Sequence, residues 1–70
     1  MDWIELTSTG PRPDEGEQVF ITGLGPHQRF YADALYEDLT FLLWDFAEDE
    51  YLHPTENVTH WARIVAPGAA

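Results

Sequence analysis

The chain has 70 residues, 44% of them hydrophobic and 14% aromatic, with thirteen Asp and Glu against three Lys or Arg and a formal net charge of −10. The length fits one small acidic domain over residues 1–70, the apolar content argues against disorder, and the absence of cysteine excludes disulfides and Cys-based zinc sites. Charge of this sign repels nucleic acid and anionic lipid and attracts basic protein surfaces, so no direct nucleic-acid or membrane binding is expected.

The first strand is expected at Trp3-Ile4-Glu5-Leu6. The opening Met1-Asp2-Trp3-Ile4-Glu5 is acidic and lacks a basic n-region, so it does not read as a signal peptide. Thr9 to Gly16 holds two prolines and two glycines, which prevent helix and leave a loop. Gln18-Val19-Phe20-Ile21-Thr22 is β-branched and aromatic and forms the clearest strand, ended by a turn at Gly23-Leu24-Gly25-Pro26.

The middle of the chain supports two readings. As strands, Phe30, Ala32, Ala34 and Tyr36 alternate with Arg29, Tyr31, Asp33 and Glu37; a turn at Glu37-Asp38 then leads into Phe41 to Phe46. As a helix near 32–47, Ala32, Leu35, Tyr36, Leu39, Leu42, Leu43 and Phe46 share one stripe, which leaves Tyr31, Phe41 and Trp44 off it. Thr40 is the one β-branched residue of that stretch, which favours helix. Val58 to Val65 alternates again, with Thr59, Trp61 and Arg63 opposite Val58, His60, Ala62 and Ile64. Pro67-Gly68-Ala69-Ala70 reads as a frayed tail. No apolar run approaches the about 20 residues that span a bilayer.

Trp3-Ile4, the step Pro13-Asp14-Glu15-Gly16-Glu17-Gln18-Val19 and the closing Val58-Thr59-His60-Trp61, with Pro67 behind, resemble a family of small phage and prophage proteins, a domain of unknown function numbered five-five-one. The resemblance spans nearly the whole chain but is carried by about ten positions, of which Val-Thr-His-Trp is the most specific. Departures lie at Ala62-Arg63-Ile64-Val65, where the family has Met-Pro-Leu-Pro or similar, and in the acidic segment from Asp45 to Glu56. The resemblance implies a mostly antiparallel β-domain of phage or prophage origin and brings no activity or catalytic residue. Three Arg with no Lys, and ample Ala, Gly and Pro, agree with an origin in GC-rich DNA.

Candidate chemistry is sparse. His27, His53 and His60 lack short ligand spacing and would have to converge in space to hold a metal; the structural reading of His60 is a ring nitrogen bonded to a neighbour. Ser8 is the only serine and lies in no nucleophile elbow, and Gly23-Leu24-Gly25-Pro26 is too short to cradle a phosphate. Thirteen carboxylates make chance pairs certain, so carboxylate pairing carries no catalytic signal. The acidic residues Asp33, Glu37, Asp38, Asp45, Glu48, Asp49 and Glu50 are the candidate partner-binding set, and on one face their spacing could imitate a phosphate backbone. The plainer reading is a solvated acidic surface that keeps a small protein soluble.

The expectation is a small antiparallel sheet or partly open barrel of four or five strands, with α+β as the alternative. The expected function is non-enzymatic: a phage-encoded protein in the bacterial cytoplasm, without cofactor, binding a basic host nucleic-acid-binding or defence complex in the manner of an anti-CRISPR or DNA mimic. A structural or accessory phage domain acting through self-association, and a histidine-based metal or ligand binder, are the alternatives.

Overall fold

The computed structural model describes residues 2–64 and is all-β. Six strands form one open antiparallel sheet: β1 (Ile4–Glu5), β2 (Gln18–Leu24), β3 (Arg29–Glu37), β4 (Thr40–Asp45), β5 (Glu50–Thr55) and β6 (Val58–Arg63), in the order β1-β6-β2-β3-β4-β5. The frayed-tail expectation for Pro67 to Ala70 lies outside the described residues, as does Val65.

The sheet curls, and the chain itself dictates this. In a flat sheet β5 and β6 would stand four strand spacings apart, about 19 Å. Only Glu56 and Asn57 join them, and three peptide links reach at most about 11 Å. The end of β5 is therefore folded back over the inner face to meet the start of β6. Leu24 donates to the Asn57 carbonyl at 3.0 Å, tying this crossing to β2. Gly23 makes the approach possible, because a Cβ there would collide with the Asn57 carbonyl oxygen and the Phe30 ring.

Directly paired residues share a face of the sheet. Val19 with Ala34, Ile21 with Trp61 and Tyr36 with Phe41 all point inward, and these six form the buried core. Ile4, Leu6, Phe30, Ala32, Leu43 and Val58 pack around them. The loop between β1 and β2 closes over this face: Pro13 is buried, and the Trp61 indole donates to the Pro11 carbonyl at 3.2 Å. Trp61 is fully buried, and truncating an indole of this kind to Ala typically costs about 3–5 kcal/mol.

The helix near 32–47 is overturned. A sheet lets Tyr36 and Phe41 face each other inward, with ring centroids 5.0 Å apart, whereas the helical stripe strands Phe41. The break falls at Asp38-Leu39, one residue later than expected, with φ of 52° and 63°. Two consecutive positive φ values make the tight hairpin turn whose twist matches the flanking strands. The expected four or five strands become six because β5 is present. Pro54 argues against a strand there, and it is accommodated because β5 is an edge strand. In β6 the alternation breaks at a register shift opposite Thr22 and Gly23. Val58 thereby packs on the core with Trp61, although simple alternation sets them on opposite sides.

Candidate functional site

The acidic candidates fall in three places. The first is the turn between β4 and β5. The Asp45 carboxylate accepts from the Ala47 and Glu48 amides at 2.8 and 3.0 Å through Oδ1. Its Oδ2 lies 2.7 Å from His53 Nε2, and its carbonyl accepts from the Asp49 amide at 2.8 Å. The Glu48 amide, then the His53 ring, hold the Asp45 carboxyl below its ordinary value. Asp45 thus staples the turn from within. Glu48, Asp49 and Glu50 are exposed, and among the described residues their carboxylates make no hydrogen bond or ion pair. Beside them Phe46 is 89% exposed. Asp49 adopts φ 58°, a conformation Asp tolerates better than most residues.

The second place is the turn between β3 and β4, at the other end of β4, about 20 Å away by strand length. Glu37 and Asp38 are exposed there. The Asp38 amide donates to both Glu15 oxygens, at 3.1 and 3.0 Å. Nearby carboxylates are engaged too: Arg63 reaches Glu17 at 3.1 Å and Asp14 at 4.0 Å.

Asp33 stands alone on the outer face of β3. It accepts from the Tyr51 hydroxyl at 2.6 Å, and that hydroxyl accepts from Gln18 Nε2 at 2.8 Å. The bond to Asp33, followed by desolvation, pushes the Tyr51 phenol up. Trp44 meets Tyr51 edge-on with centroids 4.9 Å apart, so this group braces β5 against β3 and β2. The fold therefore brings Asp45, Glu48, Asp49 and Glu50 together, sets Glu37 and Asp38 at the opposite end, and uses Asp33 internally.

The histidines lie apart in the chain's own bonding: His27 is exposed in the turn between β2 and β3, His53 faces Asp45, and His60 Nδ1 lies 2.9 Å from the Thr59 hydroxyl. Among the described residues no group of three or more His, Asp or Glu is placed to hold a metal ion.

Two features escape sequence reasoning. Trp3 and Tyr31 face each other on the outer surface at 6.2 Å, across a shallow apolar groove floored by Phe20. On the inner side, Arg12 and Tyr36 line a cavity of about 390 Å³. A signal for the latter exists in the sequence: Arg12, between two prolines, is one of three cations in a chain with thirteen acids.

No family model matches the chain, and comparisons with curated proteins and with solved structures find no match either. Function is therefore read from the residues themselves. No helix among the described residues is long and apolar enough to cross a membrane.

Proposed function

We propose that the chain is a non-enzymatic, phage-encoded binding domain that works in the bacterial cytoplasm by docking on a basic host protein. The surface assigned to this task is the β4–β5 turn. The observation that carries the reading is the partition of charge. Asp45 is consumed in building the turn, while the Glu48, Asp49 and Glu50 carboxylates have no hydrogen-bond or ion-pair partner among the described residues and follow an exposed Phe46 in the same turn. An aromatic anchor inside a charged rim is how interfaces concentrate binding energy and orientation. The internal staples hold this tip before a partner arrives, which lowers the ordering cost of binding.

The partner class that suits such a tip is a nucleic-acid-binding or defence complex, whose basic groove meets acidic side chains in place of phosphates. The wider DNA-mimic form, with one continuous acidic face, has less support, because the carboxylates gather at the two ends of β4. Self-association through a sheet edge is also less favoured. Edge strand β5 carries Pro54 and an irregular register between Leu43 and Trp44, and β1 has two residues; such edges resist strand addition.

Replacing Glu48, Asp49 and Glu50 together by Lys tests the reading. Binding to a basic host complex is expected to be lost, and wild-type binding is expected to weaken steeply with salt, because screening shortens from about 10 Å at 0.1 M to about 3 Å at 1 M. Unchanged capture by the triple variant would remove this turn as the site.

A further inference from the structure

The outer face of the sheet carries an aromatic groove that the fold leaves open. Side chains alternate along a strand, and directly paired residues share a face. The pairings of Phe20 with Asp33 and of Thr22 with Tyr31 therefore set Phe20, Tyr31 and Asp33 on one side. Trp3, just before β1, meets Tyr31 there, with ring centroids 6.2 Å apart and planes inclined at 51°. Trp3, Phe20, Tyr31 and Asp33 line a groove of about 310 Å³. Trp3 is 37% exposed and Tyr31 68%, so both rings are open to a ligand. Asp33 is exposed as well; its Oδ2 accepts from the Tyr51 hydroxyl, and among the described residues its Oδ1 has no partner. The chain's own cations act elsewhere. Arg63 lies over Trp61, 4.9 Å from the ring centroid, and Arg29 donates to the Thr59 and Thr22 hydroxyls.

We propose that this groove seats an arginine side chain of the basic partner. The proposal rests on the docking reading above and adds a second contact to it. Aromatic faces attract a cation, and a guanidinium stacks flat on a ring while its N–H groups bond a carboxylate. Asp33 Oδ1 supplies that acceptor at the groove. A lysine ammonium, more strongly hydrated and without a flat face, suits the rings less well. The net charge of −10 and the acid on the lining disfavour an anion, and a purely apolar occupant would desolvate the Asp33 carboxylate without compensation. The groove is also linked to the acidic turn, because Tyr51, bonded to Asp33 at 2.6 Å, follows Glu50 in β5. A basic surface laid on Glu48 to Glu50 can thus extend to the rings.

The test is an NMR titration of the full chain with N-acetylarginine methylamide, with its neutral isostere N-acetylcitrulline methylamide, and with N-acetyllysine methylamide. Arginine is expected to shift the Trp3 indole N–H and the Phe20, Ala32 and Asp33 amides, lysine to do so more weakly, and citrulline not at all. Tyr31→Ala, at an exposed site, is expected to weaken arginine binding about two- to fivefold, the range of one exposed cation–π contact. Asp33→Asn is expected to weaken it as well. Tyr51→Phe cuts the internal bond to Asp33 but keeps the carboxylate, so binding is expected to hold. The titration needs no host partner, so its failure removes the groove and leaves the β4–β5 turn standing, whereas failure of the docking reading shows as no complex captured from lysate. Where a complex is captured, Tyr31→Ala is expected to hold less of it than wild type. Citrulline or lysine binding as tightly as arginine, no shift at Trp3, equal losses in Tyr51→Phe and Asp33→Asn, or undiminished capture by Tyr31→Ala would overturn the proposal.

Discussion

The two ends of β4 carry acidic turns of different construction. At the β4–β5 end one carboxylate, Asp45, organises the turn from inside, and among the described residues the carboxylates of Glu48, Asp49 and Glu50 make no bond. At the β3–β4 end the turn rests on backbone geometry, two positive φ values at Asp38 and Leu39, and on Glu15 reaching in from a distant loop. The lesson is that acidic residues in this chain are not one class. Asp33, Asp45, Glu15 and Glu17 hold the fold together; Glu48, Asp49 and Glu50 are spare. A surplus of charge becomes a candidate interface where it is both unspent and rigidly presented.

The comparison breaks first at Asp45. Asp45→Asn weakens the caps on the Ala47 and Glu48 amides and the contact with His53, and is expected to give the largest loss of stability among the turn variants. Its pH dependence gives a second reading. The folded Asp45 carboxyl titrates below its ordinary value of 3.8. The stability it contributes is therefore complete above that value and is lost as pH falls through the lower, folded one. Thermal melts should separate wild type from Asp45→Asn at neutral pH and bring them together in strong acid. A gap that persists in acid would mean that the carboxylate's charge is not what matters.

At the opposite turn, Leu39→Gly is expected to stabilise the protein by up to about 1 kcal/mol, because Leu at positive φ is strained and Gly is not. Leu39 is 82% exposed, so little burial is lost. Denaturant titration measures this; destabilisation would show that Leu39 packing outweighs backbone strain. The smallest effect is expected for Tyr51→Phe. It breaks the hydroxyl bonds to Asp33 and Gln18 at the price of about 0.5–1.5 kcal/mol. The Tyr51 pKa is raised in the folded state, so its contribution is complete below the ordinary phenol value of 10.0 and is lost as pH rises through the higher one. Melts in the alkaline range should show wild type losing its advantage over Tyr51→Phe; a constant difference would contradict the assigned bond.

Much of the fold is legible in the sequence because its signals are local. The Val19–Ile21 strand and the Pro and Gly loop before it read directly, whereas the Phe30 to Tyr36 alternation competes with a helical stripe over the same residues. The helix alternative arose because Leu35, Leu39 and Leu42 satisfy a 3.6 period as well as a sheet; the choice was made by burial of Phe41 against Tyr36, which is a tertiary fact. β5 was hidden by Pro54, since nothing local says that a strand will stand at an edge. Of the acidic set, the grouping of Asp45 with Glu48 to Glu50 follows from adjacency. The internal use of Asp33 depends on Tyr51, eighteen residues away, and no pattern announces it. The Arg12 and Tyr36 cavity is assembled from the β1–β2 loop, a strand and the β5–β6 crossing, so of its lining only Arg12, a rare cation between two prolines, stands out in the chain.

The most direct test is a parallel capture from bacterial lysate at low and high salt, with bound proteins identified by mass spectrometry. Three tagged forms are compared: wild type, the Glu48→Lys, Asp49→Lys, Glu50→Lys variant, and a Glu37→Lys, Asp38→Lys variant of the opposite turn. The expected result is a basic nucleic-acid-binding complex held by wild type and by the Glu37/Asp38 variant at low salt, released at high salt, and absent from the triple variant. Loss of the complex only when Glu37 and Asp38 are reversed, or no specific partner for wild type at either salt, would contradict the assignment of the β4–β5 turn as the working surface.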